Sequence, residues 1–268
     1  MQKSLFMTFA ALGMMTATVH AAGTVTVNGS TTVLPAMQLV TENFMAAHPD
    51  VTVTISGSGS GNGIKALRDK MTDIAMSSRD LKSKEAKDFE SHGMKTVRYT
   101  VAHDAIIPVV HNDNAVKGLT LEQLRDVFAG KIRNWKEVGG ADRPIVVIGR
   151  DSSSGTFESW QELVMGKSRV SPRALLQSSS GGVVQAVASN PNAIGYIGIG
   201  YMDKQTKALE VNGTAASMES AKDRSWPISR DLYLFTVTET PEAKMLLDYA
   251  LSAEGQKFVE KSGFVPVK

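Results

Sequence analysis

Thr24–Pro35 reads TVTVNGSTTVLP. Thr24–Asn28 alternates β-branched residues in a strand pattern, and Gly29-Ser30 ends it. Val33, Leu34, Met37, Val40, Phe44 and Met45 then recur at helical spacing as far as Ala47. Pro35 lacks an N–H and suits a helical first turn, while Ser30, Thr31 and Thr32 supply hydroxyls around the cap. A strand, a hydroxyl-rich turn and an amphipathic helix form the building unit of an α/β protein.

The unit recurs along the chain. Strands are expected at Val51–Ile55, Asp73–Met76, Ile145–Ile148, Ala193–Ile199 and Leu232–Val237, with a long extended stretch over Lys95–Val110. Helices are expected at Val33–Ala47, Ile64–Met71, Ser83–His92, Leu121–Phe128, Phe157–Met165 and Val183–Ala188. One long C-terminal helix is expected from Glu242 to Val259, with Pro241 at its start. Such alternation implies parallel sheets with crossover helices, and ligands then bind where loops leave the C-terminal ends of strands.

Composition narrows the function classes. The 268 residues carry 29 Lys+Arg against 27 Asp+Glu, a formal charge of +2, which provides no basic field for nucleic acid. Without cysteine there is no disulfide scaffold, thiol nucleophile, iron–sulfur cluster or Cys-ligated zinc. Met1–Ala22 has Lys3, then an apolar run through Leu5, Phe6, Phe9, Leu12 and Met15, then small residues at Ala21 and Ala22. This is the pattern of a secretory signal peptide spanning 1–21, cleaved after residue 21 or 22, and too short and interrupted for a membrane anchor. Losing Lys3 with the leader leaves 28 basic against 27 acidic residues. The mature chain is expected to be soluble and exported.

Three loops rich in Ser, Thr and Gly follow expected strands: Gly29–Pro35 (GSTTVLP), Ser56–Gly63 (SGSGSGNG) and Gly149–Thr156 (GRDSSSGT). Unpaired amides and the helix dipole make each helix start a potential anion cradle, and Arg150 adds a planar guanidinium fork suited to an oxyanion. One such turn alone is usually no more than a cap. Three in register with strands point to one shared anion site. Ser178–Gly182 (SSSGG) opens a fourth helix, and Ser77-Ser78-Arg79-Asp80 follows the third strand, where Arg79 and Asp80 also suit a surface ion pair.

Catalytic patterns are missing. There is no Gly-x-Ser-x-Gly elbow, no Ser-x-x-Lys pair and no Walker A, since Lys65 follows Ile64 rather than glycine. His48, His92, His103 and His111 fall in no metal-ligand spacing, and His103 beside Asp104 suits a structural polar pair.

GSTTVLP, SGSGSGNGI, MSSRDL, GRDSSSGT and NPNAIGYIGIGY, in this order over nearly the whole mature chain, resemble the periplasmic phosphate-binding proteins of phosphate ABC transporters. The resemblance implies a type II periplasmic binding protein fold: two α/β lobes joined by two crossing strands, with the ligand cleft between them. Lobe I would comprise 22–107 plus 228–268, and lobe II 108–227. It implies inorganic phosphate as ligand and an inner-membrane ABC transporter permease as partner. No cofactor or metal, no enzymatic activity and no nucleic-acid partner are implied, and the protein would be a periplasmic monomer. Carried onto this chain, the binding residues are Ser30, Thr31, Thr32, Ser60, Ser78, Arg79, Arg150, Ser154, Gly155 and Thr156.

One position departs from the pattern. Longer members place an Asp after the third strand to accept the proton of hydrogen phosphate, and here the position reads Ser78, followed by Arg79. Ser78, Asp80, Asp104 and Asp151 remain as acceptors, and Arg79 is expected to join Arg150 on the ligand. Receptors or sensors for sulfate, molybdate or a phosphonate, an adhesion role, and a phosphatase-like hydrolase on the same fold stay open as alternatives.

Overall fold

The computed structural model describes residues 23–268, so the expected leader lies outside the described residues. In chain order the elements are β1 (Gly23–Gly29), α1 (Leu34–Ala47), β2 (Val51–Gly57), α2 (Ser60–Arg68), β3 (Ile74–Ser77), α3 (Ser83–Ser91) and β4 (Val97–His111). There follow β5 (Gly118–Leu119), α4 (Leu121–Ala129), β6 (Val146–Arg150), α5 (Gly155–Trp160), β7 (Leu175–Gln177), α6 (Ser180–Ala188) and β8 (Ala193–Gly198). Then come β9 (Thr206–Ala208), β10 (Glu210–Val211), α7 (Met218–Lys222), β11 (Ser229–Thr236), α8 (Pro241–Leu251) and α9 (Ala253–Lys261).

The alternation is α/β, as read from the sequence. Hydrogen-bonded strands run β2-β1-β3-β11-β4-β8-β6-β7, with β9 also on β4. The β1–β2, β1–β3, β6–β7 and β6–β8 pairs are parallel, whereas β4 and β11 run antiparallel to their neighbours. The 15-residue β4 pairs with β11 over Val97–Ala105 and with β8 over Ile106–Val110. Thus β4 and β11 carry the chain between two packed bodies, the two-lobed architecture expected.

Burial follows the same division. One cluster gathers Val25, Met37, Phe44, Ile74, Val101, Leu232, Leu246 and Phe264, with a small satellite of Ile64, Leu67 and Phe89. The other gathers Ala105, Phe128, Trp160, Val183, Tyr196, Trp226 and Ile228. In the second, Trp160 stacks on Tyr196 with centroids 4.4 Å apart. Each fully buried aliphatic or aromatic side chain contributes roughly 1.5–3 kcal/mol, so each lobe has its own source of stability.

Several helix boundaries differ from expectation, α5 among them, which starts at Gly155 rather than Phe157. α2 begins at Ser60 and α6 at Ser180, each before the first apolar residue, because Ser and Gly fill their first turns. Gly59, at φ +100°, ends the preceding extension and lets Ser60 enter the helix. The expected single C-terminal helix is two, α8 and α9, broken at Ser252, whose ψ of 163° is extended. Ser252 Oγ accepts the Gly255 amide at 3.1 Å and so caps α9, a local contest that Ser wins against helix continuation.

Candidate functional site

The first, second and third expected loops all reach the junction of the lobes. Ser30, Thr31 and Thr32 bridge β1 and α1, Ser60 opens α2, and Ser78 follows β3, all on the first lobe. From the second lobe come Arg150 at the end of β6, Ser154 to Thr156 at the start of α5, and Ser180 at the start of α6. Every one of these side-chain-bearing polar residues is at most 5% exposed. Hydroxyl residues ordinarily remain at the surface, so such a buried convergence requires a polar occupant or mutual bonding.

The hydroxyls face one another across the lobes. Thr32 Oγ1 lies 2.8 Å from Thr156 Oγ1 and 3.2 Å from Ser180 Oγ. Ser60 Oγ lies 3.3 Å from Ser78 Oγ and accepts the Ser78 amide at 3.1 Å. A Cβ added at Gly155 would stand 2.4 Å from Ser60 Oγ and 2.7 Å from Ser78 Oγ, so only glycine lets the start of α5 come this close. The Gly61 amide donates to Ser153 O at 2.9 Å, another bond between the lobes. Ser30 and Ser154 do a different job. Ser30 Oγ accepts the Thr32 and Val33 amides at 3.2 and 3.3 Å, and Ser154 Oγ accepts the Phe157 amide at 3.2 Å. These two act as caps that aim the loops.

Arg150 is 2% exposed. Its Nη1 donates to Ser180 Oγ and its Nη2 to Thr31 Oγ1, both at 3.1 Å, while Nε and Nη2 also reach the carbonyls of Gln177 and Ser178. No carboxylate bonds it. Burial pushes this guanidinium down from its ordinary value. A buried cation ringed by neutral dipoles is the electrostatic complement of an anion.

Arg79 is placed differently from the expectation that it joins Arg150. Nη1 and Nη2 donate to the two oxygens of Glu85 at 2.7 Å, and Nε pairs with Glu158 of α5. Lys82 Nζ meets the other Glu158 oxygen at 2.8 Å. The Arg79 charge is thus consumed by carboxylates, one of them from the opposite lobe. Among the proton-acceptor candidates, Asp80 pairs with Arg98, and Asp151 Oδ1 accepts the Ser153 amide at 2.8 Å. Asp104 is fully buried and bonded to Arg230.

Two participants escaped the residue reading. Ser180 had a signal, its place in the SSSGG loop after β7. Arg230 had none, since it sits mid-strand in β11 and reaches the site only because β11 lies between β3 and β4.

Residues 16–254 match the PBP superfamily domain. The phosphate-binding protein PstS of Borreliella burgdorferi is 33% identical over 91% of this chain and 90% of its own. This chain belongs to the phosphate-binding proteins of that superfamily. The Bacillus subtilis PstS is 30% identical over 92% of this chain and 82% of its own. Among solved structures, a phosphate ABC transporter substrate-binding protein of Clostridium perfringens, with phosphate bound, superposes with TM-score 0.86 at 37% identity, covering 92% of this chain and 100% of that one. An ABC-type phosphate transport receptor from Vibrio cholerae gives TM-score 0.74 at 32% identity, over 90% of this chain and 99% of that one. Within this phosphate-binding family the two-lobed fold and the inter-lobe cleft are accounted for together.

Proposed function

We propose that this chain is an exported receptor that binds inorganic phosphate between its lobes and delivers it to an inner-membrane ABC transporter. The observation that carries the reading is Arg150, a buried guanidinium without a carboxylate, enclosed by hydroxyls from both lobes. We assign the ligand contacts to Thr31, Thr32, Ser60, Ser78, Arg150, Gly155, Thr156 and Ser180, with Ser30 and Ser154 holding their loops in place. Hydrogen bonds to a charged group contribute about 1.5–3 kcal/mol each, and several exceed the roughly 8 kcal/mol of micromolar affinity after closure and desolvation take their share.

Binding rather than hydrolysis is supported by the bonding of the cradle hydroxyls. Their partners are other hydroxyls, amides and Arg150, and no histidine or carboxylate is hydrogen-bonded to them as a general base would be. Among the described residues no cluster of three His, Asp or Glu could hold a metal ion, and no helix is long and apolar enough to cross a membrane. The leader pattern at residues 1–22 supports a periplasmic location, and near-neutral charge supports a partner other than nucleic acid. We place lobe I at 22–107 plus 228–268 and lobe II at 108–227, and take the protein as a monomer; the two cores support the division away from the crossing strands, where Ala105, Ile106, Ile107 and Ile228 pack with the second core.

Calorimetric titration of the mature protein with inorganic phosphate tests the reading. One site of micromolar or tighter affinity is expected, with Arg150→Ala losing it. Tighter binding of sulfate, molybdate or a phosphonate, turnover of a phosphate monoester, or an unaffected Arg150→Ala variant would overturn it.

A further inference from the structure

The cradle rests on a buried charged floor. Asp104 and Arg230 are register partners on the two strands that join the lobes. Asp104 is 0% exposed and Arg230 7%. Arg230 Nε donates to Asp104 Oδ2 at 2.8 Å, Nη2 lies 2.7 Å from the same oxygen, and Nη1 donates to Ser78 O at 3.2 Å. Asp104 Oδ1 accepts the Ile199 amide at 2.9 Å. A Cβ added at Gly198 would lie 2.9 Å from both Asp104 oxygens and 2.8 Å from Thr32 Cγ2. The pair therefore touches Ser78 through its carbonyl and borders Thr32 across a glycine.

The charges around the cradle can be counted. Arg150 and Arg230 are positive and Asp104 is negative, all buried, leaving +1. Asp151, near Arg150, is only half-buried, and Arg79 and Lys82 together balance Glu85 and Glu158. Burial pushes the phenols of Tyr196 and Tyr201 up, so both remain neutral. An unbalanced charge in a buried site is costly, so a monoanion fits the floor as it stands. A dianion fits only when Asp104 carries a proton. Burial raises the Asp104 carboxyl above its ordinary value while Arg230 opposes it, which keeps that proton within reach. Dihydrogen phosphate over the Asp104 carboxylate and hydrogen phosphate over the carboxylic acid contain the same proton and the same total charge. Sulfate at neutral pH brings no proton.

We propose that the Asp104–Arg230 pair is the specificity-determining element of this site, setting its buried charge so that the anion must be accompanied by one proton. This admits phosphate and rejects sulfate without the carboxylate that longer relatives place after the third strand. The inference rests on the phosphate reading above. A purely structural pair, tying β4, β11 and Ile199 together, would on removal weaken every anion in proportion.

Asp104→Asn keeps the shape and raises the buried charge to +2. In calorimetric titrations at neutral pH, the phosphate-to-sulfate affinity ratio is expected to fall about tenfold or more, with sulfate binding tighter than to wild type. Arg230→Gln moves the charge the other way, weakening both anions and sulfate more than phosphate, so that the ratio rises about tenfold. Asp104→Asn/Arg230→Gln restores +1 and is expected to restore the ratio. A folded Asp104→Asn protein with an unchanged ratio overturns the inference. If circular dichroism shows that variant unfolded, Arg230→Gln and the double variant decide, and a ratio that does not differ between them overturns it. Wild type that binds no phosphate would instead sink the functional reading itself, in the first titration.

Discussion

Arg150 and Arg79 make an instructive pair. Each closes or follows a strand, each lies within two residues of a serine, and each is at least nine-tenths buried. Arg150 ends on hydroxyls and carbonyls, and Arg79 on the carboxylates of Glu85 and Glu158. Burying a guanidinium is unfavourable unless a counter-charge is present. Arg79 has its counter-charge built in, partly from the opposite lobe. It works as a bolt between lobes, whereas Arg150 has only neutral hydroxyls and carbonyls bonded to it. Identical side chains in similar local sequence thus acquire different tasks from what the fold brings opposite them.

The largest effect separates them directly. Arg150→Ala is expected to weaken phosphate binding by about a hundredfold or more, the loss of two charge-assisted bonds at roughly 1.5 kcal/mol each. Arg79→Ala is expected to weaken it only about tenfold, by destabilising the closed form rather than by removing a ligand contact. Equal losses by calorimetry would erase the distinction.

A second expectation concerns the approach of the lobes. Gly155→Ala would put a methyl group 2.4 Å from Ser60 Oγ. With both Ser60 and Ser78 in the way, α5 must back off, and affinity should fall about tenfold to thirtyfold while the melting temperature stays near wild type. Affinity within twofold of wild type would show that the cleft closes less tightly around Arg150 than the hydroxyl contacts imply.

Much of this convergence of residues was legible because they sit where topology makes sites. Thr31, Thr32, Ser60, Arg150 and Thr156 all lie at or beyond strand ends, so a strand–loop–helix reading finds them from local pattern alone. Ser60 and Ser180 looked like loop residues because Ser and Gly carry no helical periodicity, yet they occupy first helical turns. The break at Ser252 was invisible for the opposite reason, since apolar spacing runs on across it. The ion pair of Arg79 with Glu158 was not legible, because Glu158 lies 79 positions away and only lobe packing brings it near. Arg230 gave no sign at all: a mid-strand arginine becomes part of the site through its neighbours β3 and β4. Local pattern carries the cradle, and long-range pairing carries its charge balance.

Glu158→Gln probes the bolt more gently. It keeps the volume of the side chain and removes the charge that Arg79 and Lys82 share across the lobes. Phosphate affinity should fall about threefold to fivefold, mostly through faster dissociation, because the closed complex loses an ion pair that the open form lacks. Stopped-flow release with an unchanged off-rate would mean that Arg79 and Lys82 serve only their own lobe.

Acid provides the smallest and most selective test, because Arg79 depends on carboxylates that can be protonated and Arg150 does not. Burial pushes the Glu85 carboxyl up, but the bonds from Arg79 and from the Lys82 amide outweigh it and hold the group below its ordinary value of 4.5. A carboxyl depressed in the folded state stabilises at pH above its unfolded value, and that stabilisation is lost as pH falls through the folded one. Denaturant unfolding should therefore show wild type more stable than Glu85→Gln by roughly 1 kcal/mol at neutral pH, with the gap closing only below about pH 4.5. A gap that stayed constant into acid would mean that Glu85 contributes by packing rather than by charge. In that case Arg79 would be left with Glu158 alone, and the bolt would depend wholly on the opposite lobe.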